Sequence, residues 1–158
     1  MGTIQAESSA VLDASPAEIY AIFADYLNGH PHILPKQYFS DLEVEEGGYG
    51  AGTRFRVRTR ALGVERPYHM IVSEPEPGRV LAERDVASDL VTTFTVTPAG
   101  DGSKANVRIA TEWTPARGLG GWIERMITPP VMRRMYRTEL GQLASYVERK
   151  RAAAQTTA

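Results

Sequence analysis

Cysteine is absent from this chain, which excludes disulfides, a thiolate zinc centre and a cysteine nucleophile together. Net charge is nearly absent as well. Eighteen Lys and Arg against nineteen Asp and Glu leave a formal −1, so no global field draws the chain to nucleic acid or acidic lipid. No apolar run reaches the ~18 residues of a membrane span, and MGTIQAESSAVLDA has neither the basic start nor the long apolar core of a secretory signal. A G-x-S-x-G turn is missing, which weakens Ser-His-Asp catalysis. GGYGAG (residues 47–52) lacks the Walker lysine, and no helix follows to hold a phosphate. These absences lead to the expectation of a soluble, cytoplasmic protein that binds no nucleic acid and does not insert stably in a membrane. They leave the oligomeric state open.

Histidine is scarce, at three residues. Two of them, His30 and His32, flank Pro31 in NGHPHILPK, where a pair can ligate a metal, shuttle a proton or decorate a turn. A metal needs three protein ligands, and only His69, Asp25 or Asp41 stand ready to complete the set. Neither a metal nor a cofactor is expected.

What remains is an ordinary globular composition, 42% hydrophobic and 23% charged over 158 residues. At this length a single domain buries ~68–70% of the surface its unfolded chain exposes. The domain is expected over residues 1–151, with 152–158 (AAAQTTA) a disordered tail that has nothing large to bury.

The first strand ends near Val11 and Leu12. In ASPAEIYAIFADY, Ser15 is an N-cap, Pro16 suits the first helical position, and Glu18 closes a capping box. Ile19, Ile22, Phe23 and Tyr26 follow at helical spacing, and Asn28-Gly29 stops the helix. From residue 41 the period becomes two. DLEVEE, TRFRVRTRA, RPYHMIVSEPEPG, RVLAERDVA, LVTTFTVTP and KANVRIATEW read as six further strands with short connections, hence an antiparallel meander. GLGGWIERMI is a short helical piece closed by Thr128-Pro129-Pro130. A long helix is then expected from Pro130 to about Lys150, with Met132, Met135, Tyr136, Leu140, Leu143 and Val147 in one stripe. A helix of ~30 Å over ~20 residues cannot fill the concavity of a curved seven-stranded sheet, and the space left over is a candidate pocket.

This order of elements resembles the START-like (SRPBCC, helix-grip) superfamily, particularly its polyketide cyclase/dehydrase-like branch. The resemblance rests on VLDASPAEIYAIFAD, HILP, VSEPEPGRVLAER, FTVTPAGDGSKANVRI and TPPVMRRMYRTELGQLASYVE, spanning about residues 3–150. It implies an α+β helix-grip fold: a curved antiparallel sheet of about seven strands around a long C-terminal helix, with two short helices after the first strand. It also implies a deep apolar cavity between sheet and helix. On the strands Phe55, Val57, Tyr68, Met70, Phe94, Val96, Ile109 and Trp113 are expected to bind ligand there. Met132, Met135 and Leu140 would join them from the helix, and Phe23, Ile33 and Leu34 from the rim. Any of these residues can equally be plain core.

Polar candidates are fewer. His69 is a possible general acid or base, since its ordinary pKa of ~6.5 suits the task; a packed or outward histidine is the blander alternative. Glu83 and Arg84 point to opposite faces, so one of them enters the cavity, and the register does not say which. Tyr136 and Glu139 on the long helix can meet them or lie at its surface edge. The catalytic candidates are His69, Glu83 and Tyr136, with Arg84 as a ligand-orienting residue. Arg54, Arg56, Arg58 and Arg60 form a basic row that reads as a solvated outer face rather than an RNA surface. Arg133, Arg134 and Arg137 read as a polar helix face, or as a contact with an acidic membrane surface. At NGHPHILPK, Ile33 and Leu34 are expected to point inward and the two histidines to face solvent.

Three functions fit this frame. The foremost is binding of a small hydrophobic or aromatic molecule, lipid or polyketide-like, in the cavity. The second is a cyclase/dehydrase-type enzyme acting on a ketone-rich substrate in the same cavity, and the third a regulatory protein-interaction domain.

Overall fold

The computed structural model describes residues 2–157. Its strands are β1 (Ile4–Leu12), β2 (Phe39–Glu46), β3 (Arg54–Ala61), β4 (Val64–Glu76), β5 (Val80–Asp85), β6 (Val91–Ala99) and β7 (Lys104–Trp113). Helix α1 (Pro16–Ala24) and a single 3₁₀ turn (His30–His32) separate β1 from β2, and α2 (Leu119–Thr157) closes the chain. All seven strands pair antiparallel in the order β1-β7-β6-β5-β4-β3-β2. This is the curved meander around a long C-terminal helix that the sequence predicts.

Alternation decides which face holds the core. Phe55 and Val57 of β3 are buried while Arg56 and Arg58 are exposed. On β4, Met70 and Val72 are buried, with Tyr68 half-buried beside them. The basic row lies on the outer face as expected, matched by acids: Arg54 to Glu46, Arg56 to Glu45, Arg58 to Asp41 and Glu65. The inner face packs against α2 through Met135, Tyr136, Leu140, Leu143 and Val147, all buried.

The Ser15 N-cap expected for α1 is present, but the Glu18 carboxylate lies 3.6 Å from Arg151 instead of closing the capping box. The Glu18 backbone N–H donates to Ser15 Oγ at 3.2 Å, and Pro16 opens the helix. At the other end Asp25 Oδ1 accepts from the N–H groups of Leu27 and Asn28. Gly29 then passes so close to α1 that a Cβ there would lie 2.8 Å from the Ile22 carbonyl oxygen. This tight return carries His30 back under the helix.

Two features differ from the sequence reading. The long helix does not begin at Pro130, since α2 is continuous from Leu119 through Pro129 and Pro130. The prolines lack the N–H groups that would bond the Arg125 and Met126 carbonyls, so the early turns depend on tertiary anchors. Glu124 supplies two of them, accepting from the Trp113 indole N–H at 2.7 Å and the Ala116 N–H at 3.2 Å. The Arg125 guanidinium adds a third by donating to the Gly2 carbonyl. The second difference is the tail: α2 runs on to Thr157, fully exposed. An alanine run is the best helix propagator and extends a helix already nucleated by packing.

A cavity with two buried acids

Between the inner sheet face and α2 lies a cavity of about 290 Å³, at the lower end of the ~300–1,000 Å³ common for small-molecule sites. Of the residues expected to line it, Leu34, Val57, Tyr68, Met70, Phe94, Trp113, Met132 and Met135 do so, as do Glu83 and Tyr136. Phe23, Ile33, Phe55, Val96, Ile109 and Leu140 are buried but sit in the surrounding core rather than on its wall. Register selects Glu83 over Arg84. Glu83 pairs with Val72 and Thr92 on the inner face, and Arg84 is exposed on the outer one. His69 also falls outward, because Tyr68 and Met70 take the inner positions. Its Nε2 lies 2.7 Å from Glu45 Oε1 on the other side of the sheet, so it is not brought to the cavity.

The polar part of the wall is built from rows across the sheet. Glu83 opposes Thr92, which opposes Thr111. The Thr92 and Thr111 hydroxyls are 2.7 Å apart, and Thr111 is hydrogen-bonded in turn to the Tyr136 hydroxyl from α2. Burial pushes the Tyr136 phenol up, so it stays protonated and offers a donor and an acceptor rather than a base.

Glu83 accepts a hydrogen bond from the buried Tyr26 hydroxyl at 2.6 Å. Burial pushes its carboxyl up to about 7, although the Tyr26 bond pulls the other way. Glu139, one turn beyond Met135 on α2, is 2% exposed and its Oε1 has no hydrogen-bond partner. Burial first, and the charge of Glu83 second, hold its carboxyl well above the usual range. No arginine or lysine lines the cavity near these acids; Arg66, the one cation on its wall, is exposed.

His30 completes the group and corrects an expectation, for it is buried at 2% exposure rather than solvent-facing. Its ring stacks on Tyr26 at 4.7 Å and meets Phe94 edge-on at 5.4 Å. Nδ1–H donates to the Phe23 carbonyl at 2.8 Å, which leaves Nε2 as an unprotonated acceptor, 3.8 Å from Glu83 Oε1. Burial pushes its pKa down to about 4, against a partly compensating pull from the Phe23 bond, so the ring is neutral near pH 7. His32 is exposed and stacks on Tyr146 at 5.1 Å. The two histidines therefore do not act as a pair, and among the described residues no three His, Asp or Glu side chains converge as a metal would require.

His30, Thr92 and Thr111 are not among the site residues expected from the sequence, and Glu139 enters there only as a residue that meets Glu83 or Arg84 or lies at the helix edge. The threonines were available from period two, each lying two residues from an inward Phe94, Ile109 or Trp113. Glu139 was available from the helical stripe, four after Met135. His30 carried no such signal, because its burial depends on the turn at Asp25 and Gly29.

Fold and site together define a helix-grip protein with an apolar cavity into which carboxyl and hydroxyl groups converge. The chain belongs to the polyketide cyclase/dehydrase and lipid transport family, whose profile matches residues 3–148. The KanY protein, solved by NMR, is 34% identical, with 94% of this chain and 99% of that one covered and a TM-score of 0.80. The Zhui aromatase/cyclase from Streptomyces sp. R1128 superposes with a TM-score of 0.78 at 19% identity, covering 96% of this chain and 98% of that one. Norcoclaurine synthase from Thalictrum flavum, as a point mutant bound to a transition-state analogue, gives 0.70 at 16% identity over 94% and 96%. At those identities the two enzymes are similar in fold alone. No protein of curated function matches the chain.

Proposed function

We propose that the cavity binds a compact, largely apolar molecule bearing a carbonyl or phenolic oxygen, and that Glu83 and Glu139 exchange protons with it, the chemistry of a cyclase or dehydrase. The observation that carries this reading is the pair of buried carboxyls with no cationic partner, one hydrogen-bonded and one unpartnered, on the wall of a largely apolar cavity. A carrier has no need of two such groups, since each costs free energy to bury. Environments that push two acids apart assign them different roles. Glu83, near 7 and held by Tyr26, alternates between carboxylate and acid at neutral pH and serves as the base. Glu139 stays protonated and donates to the ligand oxygen as charge develops there. The Thr92–Thr111–Tyr136 hydroxyls orient the same oxygen or its neighbour. The family name agrees with this chemistry.

Exchange of α-protons tests it without knowledge of the natural substrate. The protein is incubated with 2-acetyl-1-naphthol in D₂O, and loss of the methyl proton signal is followed by NMR. The wild-type protein should accelerate exchange. Glu83→Gln should slow it by roughly 10²-fold or more while the Kd for the same ketone stays within about tenfold. Binding without accelerated exchange would leave a carrier, the reading favoured by the family's lipid-transport members. Equal loss of binding and exchange in Glu83→Gln would place the residue in ligand affinity rather than proton transfer.

A further inference from the structure

The first turns of α2 break the rule that an apolar helix face is covered. Leu119, Trp122, Ile123, Met126 and Ile127 are all exposed, Leu119 by 74% and Trp122 by 61%. Their i, i+3, i+4, i+7, i+8 spacing sets them on one side of the helix. Nine consecutive residues thus hold five of the eleven large apolar side chains exposed among the described residues. The opposite side of the same stretch sends Glu124, Thr128, Val131 and Met132 to the cavity. A helix apolar on both sides is ordinarily buried on both, and here the outer side has no cover among the described residues.

Charge selects what covers it. Residues 115–138 contain Arg117, Arg125, Arg133, Arg134 and Arg137 against a single acid, Glu124. Both Glu124 carboxylate oxygens are already engaged, by Trp113 and Ala116. Five minus one gives +4 in this stretch, within a whole chain of −1. Arg133 and Arg134 follow Met126 and Ile127 at i+7 and are exposed, so the outer side turns from apolar to cationic along its length. The β3–β4 hairpin tip presents Leu62 and Val64, exposed by 67% and 53% and lining the same cavity. A second copy of the chain fits poorly, because a two-fold contact would set the +4 stretch against itself.

We infer that the outer side of α2 docks on an anionic lipid surface. Trp122 sits at headgroup level, Leu119, Ile123 and Met126 enter the acyl boundary, and Arg133, Arg134 and Arg137 meet lipid phosphates. In that pose one helix separates the bilayer from the cavity, so an apolar ligand passes between membrane and pocket over a short path. Docking requires no spanning segment, and no helix among the described residues is long and apolar enough to cross a membrane.

Vesicles of phosphatidylcholine, with and without phosphatidylglycerol, test the inference by co-sedimentation and tryptophan emission. Trp113 is already buried, so a blue shift on binding reports Trp122. The full chain should bind the phosphatidylglycerol vesicles with a blue shift, release them in high salt, and leave pure phosphatidylcholine vesicles unbound. Arg133→Ala with Arg134→Ala should weaken partition roughly 30-fold, at about fivefold per arginine. Ile123→Glu with Met126→Glu should abolish it while the circular dichroism spectrum is unchanged, since both sites are exposed. Absence of partition, equal binding to both vesicle types, or a lipid-free dimer that itself shifts the Trp122 emission would each overturn the inference.

Discussion

Glu83 and Glu139 are chemically identical side chains on one cavity wall, and a single hydrogen bond distinguishes them. The Tyr26 hydroxyl donates to Glu83 and favours its charged form, whereas Glu139 Oε1 has no donor. Tyr26→Phe should therefore raise the Glu83 pKa above about 7 and shift the alkaline-going rise of ketone proton exchange to higher pH. The loss of one hydrogen bond to a buried acid should cost about 1–3 kcal/mol of stability. A pH–rate profile with an unmoved midpoint would remove Tyr26 from the tuning of Glu83. At this scale the sequence was only partly legible. Glu139 stands at a stripe position four after Met135, but residue type argued for the surface, because a buried glutamate without a partner is rare. His69 is the histidine the sequence offers as an acid or base, and alternation along β4 turns it outward. The burial of His30 follows from contacts among Asp25, Gly29 and Phe23, which no local pattern announces.

At the scale of elements, local rules sufficed wherever one face of an element is buried. Period two in TRFRVRTRA and VTTFTVT fixes both the strands and their inward faces. The Ser15 cap and Pro16 place the start of α1, whereas its end falls at Ala24, short of the expected Tyr26 and Asn28-Gly29. Local rules failed at Pro129-Pro130, where local chemistry predicts a break and the Glu124 and Arg125 anchors hold the helix in line. The turns before the prolines lack two intrahelical bonds and expose an apolar side, so they are weaker than the packed middle of α2. Amide hydrogen exchange should consequently be faster over residues 119–128 than over 135–147, where Leu140, Leu143 and Val147 pack against the sheet. Pro130 is exposed, and Pro130→Ala returns one N–H to the Met126 carbonyl. The variant should slow exchange before it and raise stability by about 1 kcal/mol or more. Uniform protection along the whole of α2 in the wild-type protein would contradict this division.

The whole molecule should carry the signature of its buried ionisable groups in how stability varies with pH. Glu83 rises from 4.5 in the unfolded chain to about 7 when folded, so between those values the folded state binds more protons. Stability then falls as pH rises across that window, by up to about 1.4 kcal/mol per unit and roughly 3 kcal/mol in all. Glu139 has the same sign and continues the decline above neutrality, its carboxyl being held further up. His30 acts oppositely. Its pKa drops from 6.5 to about 4 on folding, so its contribution is complete above 6.5 and is lost as pH falls toward 4. The two effects oppose each other between about 4.5 and 6.5, and only the carboxyl effect remains above. Two carboxyls outweigh one histidine, so thermal unfolding of the wild-type protein should show a Tm that declines with pH from about 4.5 and more steeply above 6.5, where His30 no longer opposes the decline. In Glu83→Gln with Glu139→Gln that decline should vanish, and below 6.5 the slope should reverse, stability now falling as pH falls because nothing opposes His30. The sign of the slope below 6.5, opposite in the wild-type protein and the double variant, is the measurement that matters, since glutamine in a buried site shifts the whole curve without bending it. A wild-type Tm that is flat above 6.5 would mean that the two acids are neutralised or hydrated in solution, and the assignment of Glu139 as a standing proton donor would fall with it.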